Sequence, residues 1–519
     1  MGAVRNILIV GGGTAGWLSA CYLARTFNSA SPQSIQITLV ESADIGILGV
    51  GEGTFPSLRG TLAAIGMDEA HFVRGANATF KQGIRFVDWA RPRGSPGANH
   101  YFHPFSLPSQ QGDGPELLPY WLLGAAGEAP FAQAVTMQAS VIDAKRGPKR
   151  VGDKPYQARL NYAYHFDAMK FAAVLAEHGR SLGVRHVIAT VDNVELDESG
   201  AIARVITREA GALTADLYVD CSGFRAALIG QALGAKFRSA KDVLFVDRAV
   251  AMQVPYAKPD APIPSSTIST AHEAGWTWDI GLQQRRGIGY VYSTQHTDDA
   301  RAEQVLRDYI GPASEGLTPR MLKFEAGHRP QQWIANCVAV GLSAGFVEPL
   351  ESTGIGLIEM AAYLIAHLLP ADGELQRTAQ LFNRLMDERF LRIFDFIKMH
   401  YCLSQRRDSP FWVDNTAAAS VPESLRDRLA LWRCRAPHRL DFVTDTEMFL
   451  PASWQYILYG MEFKTDLEPM RSAYPLIERA RQEFATIRNV AAHAVADLPD
   501  HRALIEQVCT HGFAGKSAA

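Results

Sequence analysis

Gly11, Gly13 and Gly16 fall in a G-x-G-x-x-G spacing, Gly11-Gly12-Gly13-Thr14-Ala15-Gly16, between an apolar run over residues 6–10 and a helical pattern ending near Phe27. Each glycine has its own mechanical role. The first turns the chain, the second lets a pyrophosphate approach the backbone, and the third lets helix and strand pack closely. Phosphates would lie against the amides around Gly13, Thr14 and Ala15, because a helix N-terminus presents N–H groups and a dipole that favour anions. A second apolar run, residues 35–40, closes on Glu41, which is placed to accept hydrogen bonds from an adenosine ribose. Strand, tight turn, helix, strand and terminal acid together predict dinucleotide binding and leave FAD and NAD open.

Two further side chains, Lys81 and Glu351, read as ordinary from residue type and position alone. Lys81 lies in the stretch from Phe80 to Trp89, which reads as a strand, and the ordinary expectation for a strand-edge lysine is a solvated charge. Glu351 stands just before a helix expected from about Ile355 to Leu369, where the dipole alone favours a carboxylate. Between them, Ser352-Thr353-Gly354 offers backbone amides at a helix start, suited to an anion or simply to capping by Ser352.

The elements that must position these groups belong to a chain of 519 residues, long enough for two to four packed modules. With 47% hydrophobic and 20% charged residues it can bury large cores. Its 51 basic and 54 acidic side chains leave a formal charge of −3, so composition gives no reason to expect nucleic acid or an anionic membrane as partner. The six cysteines are widely spaced with no C-x-x-C, which reads as reduced thiols and no metal site. The apolar start is too short for a secretory core and no stretch approaches a membrane span, so a soluble, cytoplasmic protein is expected. Large apolar helices suit a monomer or a homodimer equally.

Along the chain, a glycine-dense loop covers residues 46–53 and a Gly/Pro-rich, aromatic-containing stretch covers 91–160, read as inserted loops. A helix is expected over 165–182 and a small sheet over 184–221, ending in Leu217-Tyr218-Val219-Asp220-Cys221-Ser222-Gly223. A further apolar run, 334–340, enters Gly341-Leu342-Ser343-Ala344-Gly345, and the chain beyond is mostly helical in pattern. Nucleotide-binding elements thus recur at the start, near 220 and near 345. The expected fold is α/β: a Rossmann-like FAD-binding module of the hydroxylase-type flavoprotein kind, with a mostly helical substrate-binding module. The FAD module is assigned to 1–90, 161–235 and 330–372, insertions shaping the substrate site and a barrier to 91–160 and 236–329, and the helical module to 373–519.

Four segments resemble the flavin-dependent halogenases typified by tryptophan halogenases. Gly49-Val50-Gly51-Glu52-Gly53-Thr54-Phe55-Pro56 is similar to the loop that straps the flavin, and Thr79-Phe80-Lys81-Gln82-Gly83-Ile84 to the segment with the active-site lysine. Trp276-Thr277-Trp278-Asp279-Ile280 resembles the two-tryptophan motif, with Gly281 where the motif closes on proline. The segment from Phe346 to Ile355 resembles the one carrying the active-site glutamate and the halide site.

The resemblance implies FAD, used as FADH2, with Gly49, Val50, Gly51, Glu52 and Leu342 joining the fingerprint. It implies chloride or bromide as co-substrate on the amides of Thr353 and Gly354, and hypohalous acid guided past Trp276 and Trp278 to Lys81 and Glu351. His103, Phe105 and Trp454 stand where the family places rings around an aromatic substrate. Reduced flavin is expected from a separate NAD(P)H:flavin reductase. The stretch from Asp441 to Leu450 holds no tyrosine and one glutamate, Glu447, so a simple indole or other electron-rich aromatic is expected in place of free tryptophan. A flavin monooxygenase acting directly on an aromatic or alkene, and a non-catalytic flavin-binding regulator, are the alternatives.

Overall fold

The computed structural model describes residues 3–27, 34–43, 51–97, 99–110, 114–442 and 447–513. The chain separates into two compact units. The first is formed by Met1–Ala78, Phe166–Ala240 and Glu325–Leu391, and the second by Thr79–His165, Lys241–Phe324 and Arg392–Ala519.

In the first unit the apolar runs become a six-stranded sheet in the order 333–334, 337–339, 217–220, 6–10, 36–41, 185–188. All neighbours are parallel except the short Trp333–Ile334 edge. Strands of a parallel sheet are covered on both faces, which is why Leu217–Asp220 is buried at every position and shows no alternation. Three segments distant in sequence thereby end side by side. Gly11 N–H donates to Val40 O (2.8 Å), Cys221 N–H to Val10 O (2.9 Å) and Val340 N–H to Asp220 O (2.9 Å). Each strand then enters a glycine turn at the carboxyl edge, where open α/β sheets bind their ligands.

Helix Thr14–Phe27 packs on helix Ala168–Ser181, where the Cβ of any larger residue at Gly179 would lie 3.0 Å from the Trp17 ring. The sheet expected over 184–221 proves to be two things. Residues 185–188 and 217–220 join the parallel sheet, and only 191–196, 202–207 and 211–213 form a separate antiparallel one.

The second unit is organised by a seven-stranded sheet in the order 320–323, 248–255, 285–292, 275–281, 267–272, 83–87, 100–104. It is antiparallel apart from the pairing of 267–272 with 83–87. Helix Asp299–Ile310 contributes Ala302 and Leu306 to a core with Val250, Met252, Ile288 and Tyr290.

Two expectations change here. The run from Phe80 to Trp89 is two strands, Thr79–Lys81 and Gly83–Val87, because Gln82 N–H turns away to Ser265 O (2.7 Å) and the two halves enter different sheets. Part of 91–160 is also not loop. His100–Pro104 is the edge strand of the large sheet, with short helices Leu117–Leu122, Phe131–Val135 and Gln138–Asp143 after it.

Gly11 has φ of +116°, and an added Cβ would lie 2.2 Å from Cys221 O. Gly11→Ala therefore strains both the turn and the junction of two central strands. It is expected to cost about 2 kcal/mol or more of stability, measured by thermal unfolding.

Candidate functional site

The cradle in the first unit is built by close approach. A Cβ at Gly16 would sit 1.8 Å from Gly11 O, whereas one at Gly13 would meet nothing within 4 Å, so space opens over the middle of the turn. Helix Thr14–Phe27 starts there with no acidic residue in its own first turn. Glu41 reaches back over this turn: its Oε2 lies 1.7 Å from where a Gly12 Cβ would be, and its Oε1 meets His186 Nε2 at 2.7 Å. Gly341, at φ +74°, brings the Gly341–Ser343 turn with Leu342 against Ala15, 2.8 Å from its would-be Cβ. A cradle open over Gly13, a helix N-terminus and a carboxylate beside it fit the pyrophosphate and ribose of FAD. Gly51 and Glu52 lie on the short strand Gly51–Gly53. Gly49 and Val50 lie outside the described residues.

The same unit carries the turn before helix Thr353–Leu368. Glu351 (φ 65°) and Ser352 (φ 59°) are both left-handed, a conformation costing on the order of 1–3 kcal/mol per non-glycine residue. Ser352 makes no side-chain cap on the helix, Glu351 is 2% exposed, and Gly354 opens to space with nothing within 4 Å of a Cβ. A left-handed residue followed by right-handed Thr353 points successive amides toward one place, the geometry of an anion nest.

In the second unit Lys81 is fully buried, contrary to the ordinary expectation for a strand-edge lysine. Thr79–Lys81 pairs antiparallel with residues 163–165, and its alternation puts Thr79 and Lys81 on one face and Phe80 on the other. Phe80 is anchored edge-on to Tyr162, and its N–H donates to His501 Nε2 (3.1 Å), while His501 Nδ1 donates to Ile263 O (3.0 Å). Thr79 Oγ1 donates to Gly281 O (2.6 Å). Lys81 Nζ lies 5.3 Å from the centroid of Phe105. Burial holds His501 down to about 4, and burial together with the Lys81 charge pushes His165 well below the usual histidine range. The imidazoles near the lysine are therefore neutral at pH 7.

Trp276 and Trp278 lie on Gly275–Gly281, an inner strand of the seven-stranded sheet. They share a face with centroids 6.4 Å apart, and both are buried. Gly289 opposite Trp278 leaves room for the indole, since a Cβ there would lie 2.2 Å from the ring. Gly281 pairs with Arg286 and is crowded by Ile263 and Tyr256, 2.9 and 3.0 Å from a would-be Cβ, so a larger residue here would have to push these side chains aside.

His103 sits on the edge strand, 1% exposed, with Phe105 just beyond it, 6.4 Å between ring centroids. Trp454 is fully buried on helix Pro451–Gly460. Phe396 joins the two sets: its centroid is 6.1 Å from His103 and 5.0 Å from Trp454, and Phe449 stacks on it at 3.7 Å. Glu447 receives Arg392 and Arg428, each at 3.4 Å.

Residues 6–475 match the tryptophan halogenase family model. This chain belongs to the tryptophan halogenase family. It is similar to tryptophan 6-halogenase SttH of Streptomyces toxytricini, 36% identical over 518 residues, which cover 95% of this chain and 96% of that one. Among solved structures, a tryptophan halogenase from Shewanella frigidimarina aligns with a TM-score of 0.94 at 40% identity, covering 98% of both chains. BrvH, a flavin-dependent halogenase from Brevundimonas sp. BAL3, aligns with a TM-score of 0.86 at 34% identity, covering 97% of this chain and 99% of that one. The chain is therefore a flavin-dependent enzyme of the halogenase class, and the family's use of FAD and a halide comes with membership.

Sequence reasoning missed Phe396, Phe449, Gln138 and Asn161, which no motif marks. It also missed Glu359, whose buried carboxylate on helix Thr353–Leu368 accepts from Ser57 (2.9 Å) and Thr61 (2.5 Å). Burial pushes Glu359 up to about 7. A carboxyl whose folded value exceeds its unfolded one binds more protons when folded, so its contribution is full below about pH 4.5 and is lost as pH rises through about 7. Glu359→Gln is expected to flatten the fall of stability between pH 5 and 7 by on the order of 1 kcal/mol per pH unit, read from denaturant midpoints across that range.

Proposed function

We propose that this enzyme halogenates an electron-rich arene without an amino-acid head group, such as an indole, by guiding hypohalous acid to Lys81. The observation that carries the reading is a lysine side chain with no exposure to water, its Nζ beside the ring of Phe105. A buried lysine is costly and rarely kept for stability alone. When bound, reduced FAD with oxygen supplies the two-electron oxidation that converts chloride or bromide to hypohalous acid.

Gly11, Gly13, Thr14, Ala15 and Gly16 hold the pyrophosphate and Glu41 the ribose, with Gly49, Val50, Gly51, Glu52 and Leu342 completing the flavin site. The amides of Thr353 and Gly354 hold the halide. Lys81 donates a hydrogen bond to hypohalous acid as the ammonium or, as the free amine, exchanges an N–H proton for the halogen to give a haloamine and water; in a dry setting the hydrogen bond is stronger than in water. Glu351 takes the ring proton and stabilises the cationic intermediate. His103, Phe105 and Trp454 hold the arene, and Trp276 and Trp278 withhold it from the flavin, so that halide is oxidised first. A separate NAD(P)H:flavin reductase supplies the reduced cofactor, consistent with a single dinucleotide fingerprint.

The substrate class follows from charge. Glu447 is engaged by two arginines, and Phe449 contributes an apolar ring against Phe396. A zwitterion brought beside these rings would lose hydration without a matched carboxylate for its ammonium. With reductase, FAD, oxygen and bromide, indole is expected to give brominated product with kcat/KM at least about tenfold above that for L-tryptophan. Product bearing oxygen but never bromine overturns the halogenase reading, and a preference for tryptophan overturns the substrate reading. Lys81→Ala is expected to bind FAD and to lose about 100-fold or more of arene bromination, and retained bromination removes the lysine from the mechanism.

A further inference from the structure

We infer that Gln138 is a positioning residue that sets which ring carbon is halogenated, by fixing the Phe105–Ser106 corner relative to Lys81. The inference rests on the reading of Lys81 given above. Gln138 opens the short helix Gln138–Asp143 and is fully buried. Its Oε1 accepts from Ser106 N–H (2.6 Å), and its Nε2 donates to Asn161 O (2.6 Å) and, at 3.4 Å, to Gln82 Oε1. One side chain thus joins the residue after Lys81, the residue after Phe105, and Asn161.

These partners close on the arene wall itself. Phe105 N–H donates to Gln82 O (3.0 Å), and Phe105 O accepts from Asn161 Nδ2 (2.9 Å). Asn161 N–H donates to Ser106 Oγ (3.3 Å), and Ser106 O accepts from Tyr456 O–H (2.8 Å), two residues beyond Trp454 on its helix. The peptide group between Phe105 and Ser106 is therefore held by side chains at both its carbonyl and its N–H, just past the end of an edge strand.

The position needs an acceptor for Ser106 and donors for Asn161 and Gln82 at once, which an amide supplies and a carboxylate or alkyl chain does not. A buried polar group left without its partner is costly, so the corner would shift to recover one. At 5.3 Å from the Lys81 ammonium, the Phe105 ring leaves no gap for another ring between them. The arene must lie beside this wall, and a corner displaced by about 1 Å presents a different carbon to the halogen.

Gln138→Glu separates positioning from general structure. At low pH the new carboxyl is protonated and can donate its one proton to Asn161 O while accepting from Ser106 N–H, and at high pH it is ionised and faces Asn161 O and Gln82 Oε1 without a donor. Wild type is expected to give one dominant bromoindole at every pH. Q138E is expected to give a mixture of regioisomers above pH 8, with at least tenfold less brominated product per oxygen consumed, and to regain much of both below pH 6. Parallel pH profiles and identical regioisomer ratios for wild type and Q138E overturn the inference.

Asn161→Asp, which repels Phe105 O, serves as the independent second variant and is expected to broaden the product mixture in the same way. Amide exchange at Phe105 and Ser106 is expected to be at least tenfold faster in Gln138→Leu than in wild type, and unchanged exchange also overturns the inference. If wild type brominates no arene, the proposed function fails, while the exchange measurement still decides whether Gln138 holds the corner.

Discussion

Keeping an ammonium group dry is the constraint around which the second unit is organised. Lys81 would be a solvated charge if the run from residue 80 onward were one continuous edge strand. A single residue, Gln82, breaks that run so that Thr79–Lys81 pairs with 163–165 while Gly83–Val87 joins the seven-stranded sheet. The burial is then maintained by neighbours chosen for shape and neutrality: the Phe105 ring, two histidines held uncharged, and Phe80 locked edge-on to Tyr162. Adding positive charge there would work against the lysine's own charge, which is already felt at His165.

The first unit solves a different problem, assembling one glycine-rich sheet edge from pieces far apart in sequence. Parallel pairing of 6–10 with 217–220, and of 217–220 with 337–339, aligns three strand ends, and the glycine turns after them share the space this creates. Gly11 and Gly341 take backbone angles that other residues resist, and Gly16 permits contact with Gly11 O. Glu351 and Ser352 adopt left-handed angles without being glycines. Such strain is kept where the surrounding structure over-determines it, and it here aims backbone amides at the start of a helix.

Legibility in the sequence followed the range of the physics. The nucleotide fingerprint is local, so Gly11, Gly13, Gly16 and Glu41 could be read with their elements, and the recurrence near 220 and 345 pointed to one composite sheet. Lys81 could be singled out only through the resemblance, because nothing local distinguishes a buried lysine from a solvated one. His103 looked like a loop residue because its strand is five residues long at a sheet edge and ends in Pro104. Gln138, Asn161 and Phe396 were invisible because their significance lies in partners across the chain. Gly281 stands where the resembling motif closes on proline, and why it is small shows only in the fold, where Tyr256 and Ile263 crowd the position.

The pairing of Trp278 with Gly289 has a consequence for substitution at this hairpin. The indole fills the volume that a side chain on the adjacent strand would otherwise occupy, so the two positions draw on a single allotment of space. Shrinking the tryptophan alone leaves a void in a close-packed sheet, and enlarging the glycine alone drives the indole out of its seat. Single replacements at either position are thereby penalised, whereas a paired change that exchanges bulk between the two strands keeps this part of the sheet close-packed.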